Sequence, residues 1–145
     1  MAFIADIVPP DGVLLHLKAY SLESAIEQIS ASASEITGAR APVIAQALLA
    51  RARLNASVGG GVIIPHARIA GVHRVYGFFA RPLIPIVYDS GAPIALIFAL
   101  LAPEGADAAH LQALARIAGV LRDPAARAQL ETGDRDDVLA VLAAA

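Results

Sequence analysis

The chain has no cysteine and no tryptophan, and aromatic side chains make up only 5% of its 145 residues. Without cysteine there is no disulfide framework, no iron–sulfur ligation, no thiolate zinc site and no thiol nucleophile. An excess of one charge sign is also missing: 11 Lys+Arg stand against 13 Asp+Glu, a net charge of −2. Binding nucleic acid through its phosphates needs a basic footprint, so nucleic acid is not expected as a partner. Charged residues are scarce at 17% while hydrophobic ones reach 57%, which excludes disorder. Long apolar runs are lacking as well. The longest uncharged one, Ala92 to Pro103, is too short to cross a bilayer and contains a proline at either end. The opening Met1-Ala2-Phe3-Ile4-Ala5-Asp6 has neither the basic flank nor the apolar stretch of a signal peptide. The expectation is a single cytoplasmic domain over residues 1–145, with a large core and a surface for self-association.

What is present reads as helices, then strands, then helices. Ser21 is placed to cap a helix whose stripe is Leu22, Ala25, Ile26, Ile29 and Ala33. A second helix is expected from Pro42 to about Arg53, with Ile44, Ala47, Leu48 and Arg51 along one side. Strand character follows at Val62–Ile64, Val75–Ala80, Pro85–Tyr88 and Pro93–Leu101. The turn residues Asp89-Ser90-Gly91 predict a hairpin between the last two. Helices are then expected over Asp107–Leu121, from Asp123-Pro124 to Gly133, and from Asp134 onward. This order implies a single-domain α/β sandwich with a mixed sheet flanked by helices.

Chemistry concentrates between Arg51 and Arg68. No nucleotide-binding P-loop, dinucleotide fingerprint, paired-histidine zinc motif or nucleophile elbow occurs anywhere. Instead Gly59-Gly60-Gly61 lead into Val62-Ile63-Ile64-Pro65-His66. Three glycines allow positive φ and close approach, so Gly59, Gly60 and Gly61 are candidates for an N–H-lined anion loop. His66 then stands at a strand end, a position that carries functional groups in α/β domains and is equally open to an ordinary surface histidine. Arg51 shares the apolar side of its helix, so its guanidinium either faces a cavity or reaches past Leu48 to solvent. His110 falls in the first turn of its helix, in line with Leu114, Ile117 and Leu121, where it is either a site residue or a core histidine. His16 and His73 have no such surroundings and receive no role.

Ile63-Ile64-Pro65-His66-Ala67-Arg68 behind a glycine-rich loop resembles the active-site segment of phosphotransferase-system IIA domains of the fructose/mannitol type, a group that includes nitrogen-regulatory members. The similarity continues through Asp89-Ser90-Gly91-Ala92-Pro93, Leu100-Leu101-Ala102-Pro103 and the helix from His110 to Ala118. The resemblance implies that His66 is the phosphorylated histidine, with His110 the second active-site histidine and Arg51 the arginine beside it. It implies a phosphodonor of the HPr or nitrogen-type HPr kind. The loop departs from the family pattern Gly-Ser-Thr-Gly-Ile-Gly-x-Gly, since Asn55-Ala56-Ser57-Val58-Gly59-Gly60-Gly61 is one residue shorter in this register and Ser57 stands in for the family hydroxyl.

The function expected on this basis is that of a phosphocarrier, a relay component with a phosphohistidine intermediate rather than a stand-alone metabolic enzyme. No metal or cofactor is required, because positioning and charge stabilisation carry phosphoryl transfer. No permease or IIB segment accompanies the domain in this sequence, which favours a nitrogen-type regulator acting on partner proteins, membrane transporters among them. The alternatives are a sugar-specific relay to a IIB domain and a degenerate, non-phosphorylated binding module. A hydrolase using His66 and His110 as acid and base ranks last, for want of a nucleophile or metal set.

Overall fold

The computed structural model describes residues 4–55, 57–88, 92–105 and 107–144. Along the chain come α1 (Ile4–Ile7), a 3-10 turn (Pro10–Gly12), β1 (Val13–Leu17), α2 (Leu22–Thr37) and α3 (Ala41–Asn55). Then follow β2 (Ser57–Gly59), β3 (Val62–Ile63), β4 (His66–Arg68), β5 (Tyr76–Pro82) and β6 (Leu96–Ala102). The chain closes with α4 (Asp107–Arg122), α5 (Pro124–Thr132) and α6 (Arg135–Ala144). The strands form one mixed sheet in the order β1-β5-β6-β3-β2, with β4 also paired to β6. Strands β1 and β5 are parallel, β5 and β6 antiparallel, and β3 and β4 both run parallel to β6.

Strand β6 is the spine of the fold, and all seven of its residues are buried. Side chains alternate across a strand. Accordingly Ile97, Ala99 and Leu101 enter the core under α2 and α3, with Ile26, Ile29, Ile44 and Leu48. Leu96, Phe98 and Leu100 enter the other core, with Ile117 of α4, Leu130 of α5 and Leu142 of α6. Each fully buried side chain of this size contributes roughly 1.5–3 kcal/mol by leaving water. An apolar strand with no polar face is therefore stable only where helices cover both sides.

The helices start and stop on local chemistry. The Ser21 hydroxyl accepts from Ser24 N at 3.1 Å, and the expected stripe Leu22, Ala25, Ile26, Ile29 and Ala33 is buried. Asp123 caps α5 by accepting from Ala125 N at 3.1 Å. At α6 the exchange is reciprocal: Asp137 N donates to Asp134 Oδ1 at 2.9 Å, and Asp134 N to Asp137 Oδ2 at 3.0 Å. This is a capping box with aspartate in the place usually taken by glutamate.

One expected strand is absent. Pro85–Tyr88 contributes a single antiparallel bridge, Ile86 to Ile94, with N–O distances of 2.9 and 2.7 Å. Prolines 85 and 93 bring no N–H to a longer ladder. Val87, 78% exposed, has no layer to bury it. The expected turn Asp89-Ser90-Gly91 lies outside the described residues. Strand β6 pairs instead with β5, from Ala80↔Ile97 to Tyr76↔Leu101.

Candidate functional site

The segment from Val62 to Arg68 lies beside β6 in one unbroken register: Val62↔Leu96, Ile63↔Ile97, His66↔Leu100, Ala67↔Leu101 and Arg68↔Ala102. Pro65 interrupts the ladder only because it has no N–H. Its carbonyl still accepts from Leu100 N at 2.9 Å. The strand alternation leaves the Ile64 carbonyl directed away from β6, where His66 Nδ1 meets it at 2.8 Å. A carbonyl only accepts, so Nδ1 carries the proton and the neutral ring keeps its lone pair on Nε2.

The same alternation puts His66 on the sheet face that holds Val62 and Ile64, which is the face covered by α4. There it meets His110. The two rings stand edge to face, with centroids 5.1 Å apart and planes inclined at 64°. His110 is only 5% exposed, seated by the stripe that buries Ala113, Ile117 and Leu121. His66 itself is half-buried and so reachable from solvent. The structure thus brings together the two histidines that the sequence singled out.

The other candidates are placed differently. Arg51 is exposed on α3, a helix that packs on β4 from the opposite sheet face. Ile44 and Leu48 take the buried positions of that helix, and the arginine, one turn further on, keeps its head in water. In the β2–β3 ladder Ser57 pairs with Ile63 and Gly59 with Val62. Gly60 and Gly61 form the turn between them, at φ 62° and 80°.

That turn lies away from His66. Strand β3 leads from the turn toward His66, so the hairpin tip points the other way, about 16 Å off for five extended residues. Gly61 is locked against the start of β6: its carbonyl accepts from Ala95 N at 2.7 Å and Leu96 N at 3.2 Å. A Cβ there would stand 2.6 Å from the Pro93 carbonyl oxygen. The Gly60 carbonyl accepts from Arg127 of α5. Only the Ser57 end of β2 lies on the His66 side of the hairpin.

Two neighbours of the histidine pair were given no role by the sequence. Arg68 is exposed on the same strand face as His66, two residues on, which the alternation of β4 would have indicated. Leu111 is 64% exposed beside His110, a large apolar side chain left on the rim. His16 and His73 are exposed elsewhere. Among the described residues no three His, Asp or Glu side chains gather as a metal site, and no helix is long and apolar enough to cross a membrane.

Residues 6–145 match the family described as "Phosphoenolpyruvate-dependent sugar phosphotransferase system, EIIA 2". The sequence is 45% identical over 123 residues to a nitrogen regulatory protein of Bradyrhizobium diazoefficiens, covering 83% of this chain and 80% of that one. A nitrogen regulatory protein of Pseudomonas aeruginosa is 31% identical over 143 residues, covering 96% and 93%. The crystal structure of nitrogen regulatory protein IIA-Ntr from Neisseria meningitidis superimposes with a TM-score of 0.88 at 32% identity, covering 96% of this chain and 98% of that one. The crystal structure of IIA mannitol from Escherichia coli, with a TM-score of 0.75 at 20% identity over 92% and 97% of the two chains, shares the fold.

Proposed function

Since the chain belongs to the EIIA 2 family of the phosphoenolpyruvate-dependent phosphotransferase system, and to its nitrogen-regulatory group, we propose that His66 accepts a phosphoryl group from an HPr-type protein and that its phosphorylation state regulates partner proteins. The observation that carries this reading is the hydrogen bond from His66 Nδ1 to the Ile64 carbonyl at 2.8 Å. It leaves Nε2 as the nucleophile and fixes the ring, so little reorganisation precedes attack.

In the transfer, the Nε2 lone pair attacks phosphorus in line with the donor's N–P bond. The new Nε2–P bond forms as the old one breaks, and the donor imidazole leaves with its electron pair. Negative charge spreads over three equatorial oxygens, so catalysis rests on groups placed to meet them. His110, in contact with His66, is one such group. By family resemblance Arg51 and Ser57 are further candidates; Arg51 is exposed on α3, and Ser57 lies at the end of β2 that pairs with Ile63, while Gly60 and Gly61 form the turn into β3. Nothing in this scheme calls for a metal or cofactor.

The test is intact-protein mass after incubation with phosphoenolpyruvate, enzyme I and, separately, HPr and nitrogen-type HPr. One acid-labile phosphoryl group, absent from His66→Ala, is expected, with faster loading from the nitrogen-type donor. Labelling that persists in His66→Ala removes the assignment. No labelling, beside an active IIA control, leaves the fold as a binding module. Preference for the sugar-type donor favours a relay to a IIB domain.

A further inference from the structure

Phosphorylation of His66 would place a strong anion on an apolar face of the sheet. A phosphoryl group adds roughly 1.5–2 negative charges near pH 7. The core on that side is built from Val62, Ile64 and Leu100, with Ala113 and Ile117 of α4. Charge beside such side chains is costly unless a cation meets it. Two arginines belong to the elements nearby. Arg51 is exposed on α3, the helix that packs on β4 from the opposite sheet face. Arg68 is on the strand and face of His66 itself.

The ladder fixes that relationship. His66 pairs with Leu100, Ala67 with Leu101 and Arg68 with Ala102, and Ile69 N donates to the Ala102 carbonyl at 2.9 Å, so the pairing continues past Arg68. Ala67, between the two, is buried in the core under α2 and α3. His66 and Arg68 therefore share the other side, about 7 Å apart at the backbone. Arg68 is exposed where His66 is half-buried, so its stem can bring the guanidinium to the ring from the solvent side.

The ring is turned to suit. Nδ1 meets the Ile64 carbonyl at 2.8 Å, toward the preceding residues. Nε2, across the ring, faces away from that carbonyl, and the next residue along the strand on this face is Arg68. Strand β6 brings only Leu100, Leu101 and Ala102 to this stretch, and α4 brings His110. A planar guanidinium matches two phosphoryl oxygens at once. Its long stem also lets it leave a contact made in the unphosphorylated protein when the anion arrives.

We infer that Arg68 is the counter-charge of phospho-His66, its guanidinium binding the phosphoryl oxygens once the group is on Nε2 and so stabilising the loaded state. The inference rests on His66 being the acceptor.

The test loads the wild-type chain, Arg68→Gln and Arg68→Lys with phosphoenolpyruvate, enzyme I and the HPr-type donor. Phosphorus-31 NMR then follows the loaded proteins from about pH 6 to 9. An adjacent guanidinium favours the dianion, so Arg68→Gln should raise the midpoint of the phosphoryl titration by about half a unit or more. The ratio of loaded to unloaded chain at equilibrium with the donor should fall by about threefold or more. Arg68→Lys, which keeps the charge, should restore most of both. Arg68 is exposed, so both variants are expected to fold, and a purely structural role would leave the titration unmoved. If Arg68→Gln loads more slowly but keeps the wild-type midpoint and equilibrium, Arg68 touches the donor protein instead and the inference falls. It falls too if nothing changes. A wild-type chain that takes no phosphoryl group, or still takes one as His66→Ala, overturns the His66 assignment and this inference with it.

Discussion

Arg127 of α5 donates a hydrogen bond to the carbonyl of Gly60, tying the glycine turn to the helical layer at the end of the sheet away from the histidine pair. The same guanidinium pairs with Glu131 at 2.6 Å. Replacing Arg127 with Ala should cost about 1 kcal/mol, since the contacts are partly exposed. Faster amide exchange is expected at Gly60 and Gly61, with the rate of phosphoryl loading nearly unchanged. A large loss of loading would place the turn in the phosphoryl site after all.

The two turn glycines should differ sharply when changed to alanine. A Cβ on Gly61 meets the backbone oxygen of Pro93 at 2.6 Å, which cannot move without unseating β6. Together with a φ of 80°, this predicts a loss of about 3 kcal/mol or more. A Cβ on Gly60 meets only the end of the Arg127 side chain at 2.8 Å, which can swing away. The loss there should be about 1–2 kcal/mol, the cost of the left-handed backbone. Urea unfolding midpoints at constant slope would measure both.

His110 offers a test that separates chemistry from packing. His110→Ala should slow loading of His66 by about a hundredfold, as removal of a group that meets developing charge does, while His66 still accepts one phosphoryl group. Rapid-quench labelling gives the rate, and thermal melting reports the packing loss independently. An unchanged rate in a folded variant would reduce His110 to a core residue.

The hydrogen bond between His66 and Ile64 fixes which nitrogen reacts. Nitrogen-15 NMR of the unphosphorylated protein should show the proton of the neutral ring on Nδ1. The loaded protein should carry phosphorus on Nε2. A phosphoryl group on Nδ1 would require this hydrogen bond to break and would contradict the geometry.

The reciprocal cap of Asp134 and Asp137 predicts that Asp134→Ala lowers stability by about 1 kcal/mol. Calorimetric melting would show it as a small fall in Tm, and no fall would mean that the cap is replaced by water.

Several elements were legible in the sequence because a few neighbouring residues determine them. Ser21 with its apolar stripe, Asp123-Pro124 and the Asp134 start all mark helix boundaries through hydrogen bonds that close within three residues. The apolar run of β6 marked a strand for a similarly local reason, and the structure buries all seven of its residues. The pattern around Pro65-His66 was also readable, because Pro65 deletes a ladder donor wherever its strand is placed.

Tertiary structure decided the rest. Pro85–Tyr88 has strand-forming residues, yet β6 took β5 as its partner and left Val87 in water. Arg51 lies on an apolar stripe by spacing, but it is Ala52 that packs against the core beyond Leu48, and Arg51 is left exposed. Three consecutive glycines suggest an anion loop, while the antiparallel turn of β2 onto β3 carries Gly60 and Gly61 away from His66. His66 and His110 meet because β4 and α4 share one face of the sheet. Caps, turns and periodicity are short-range and are written into the chain, whereas the face and the end of the sheet that a residue reaches depend on strand pairings between distant segments, which only the packed core selects.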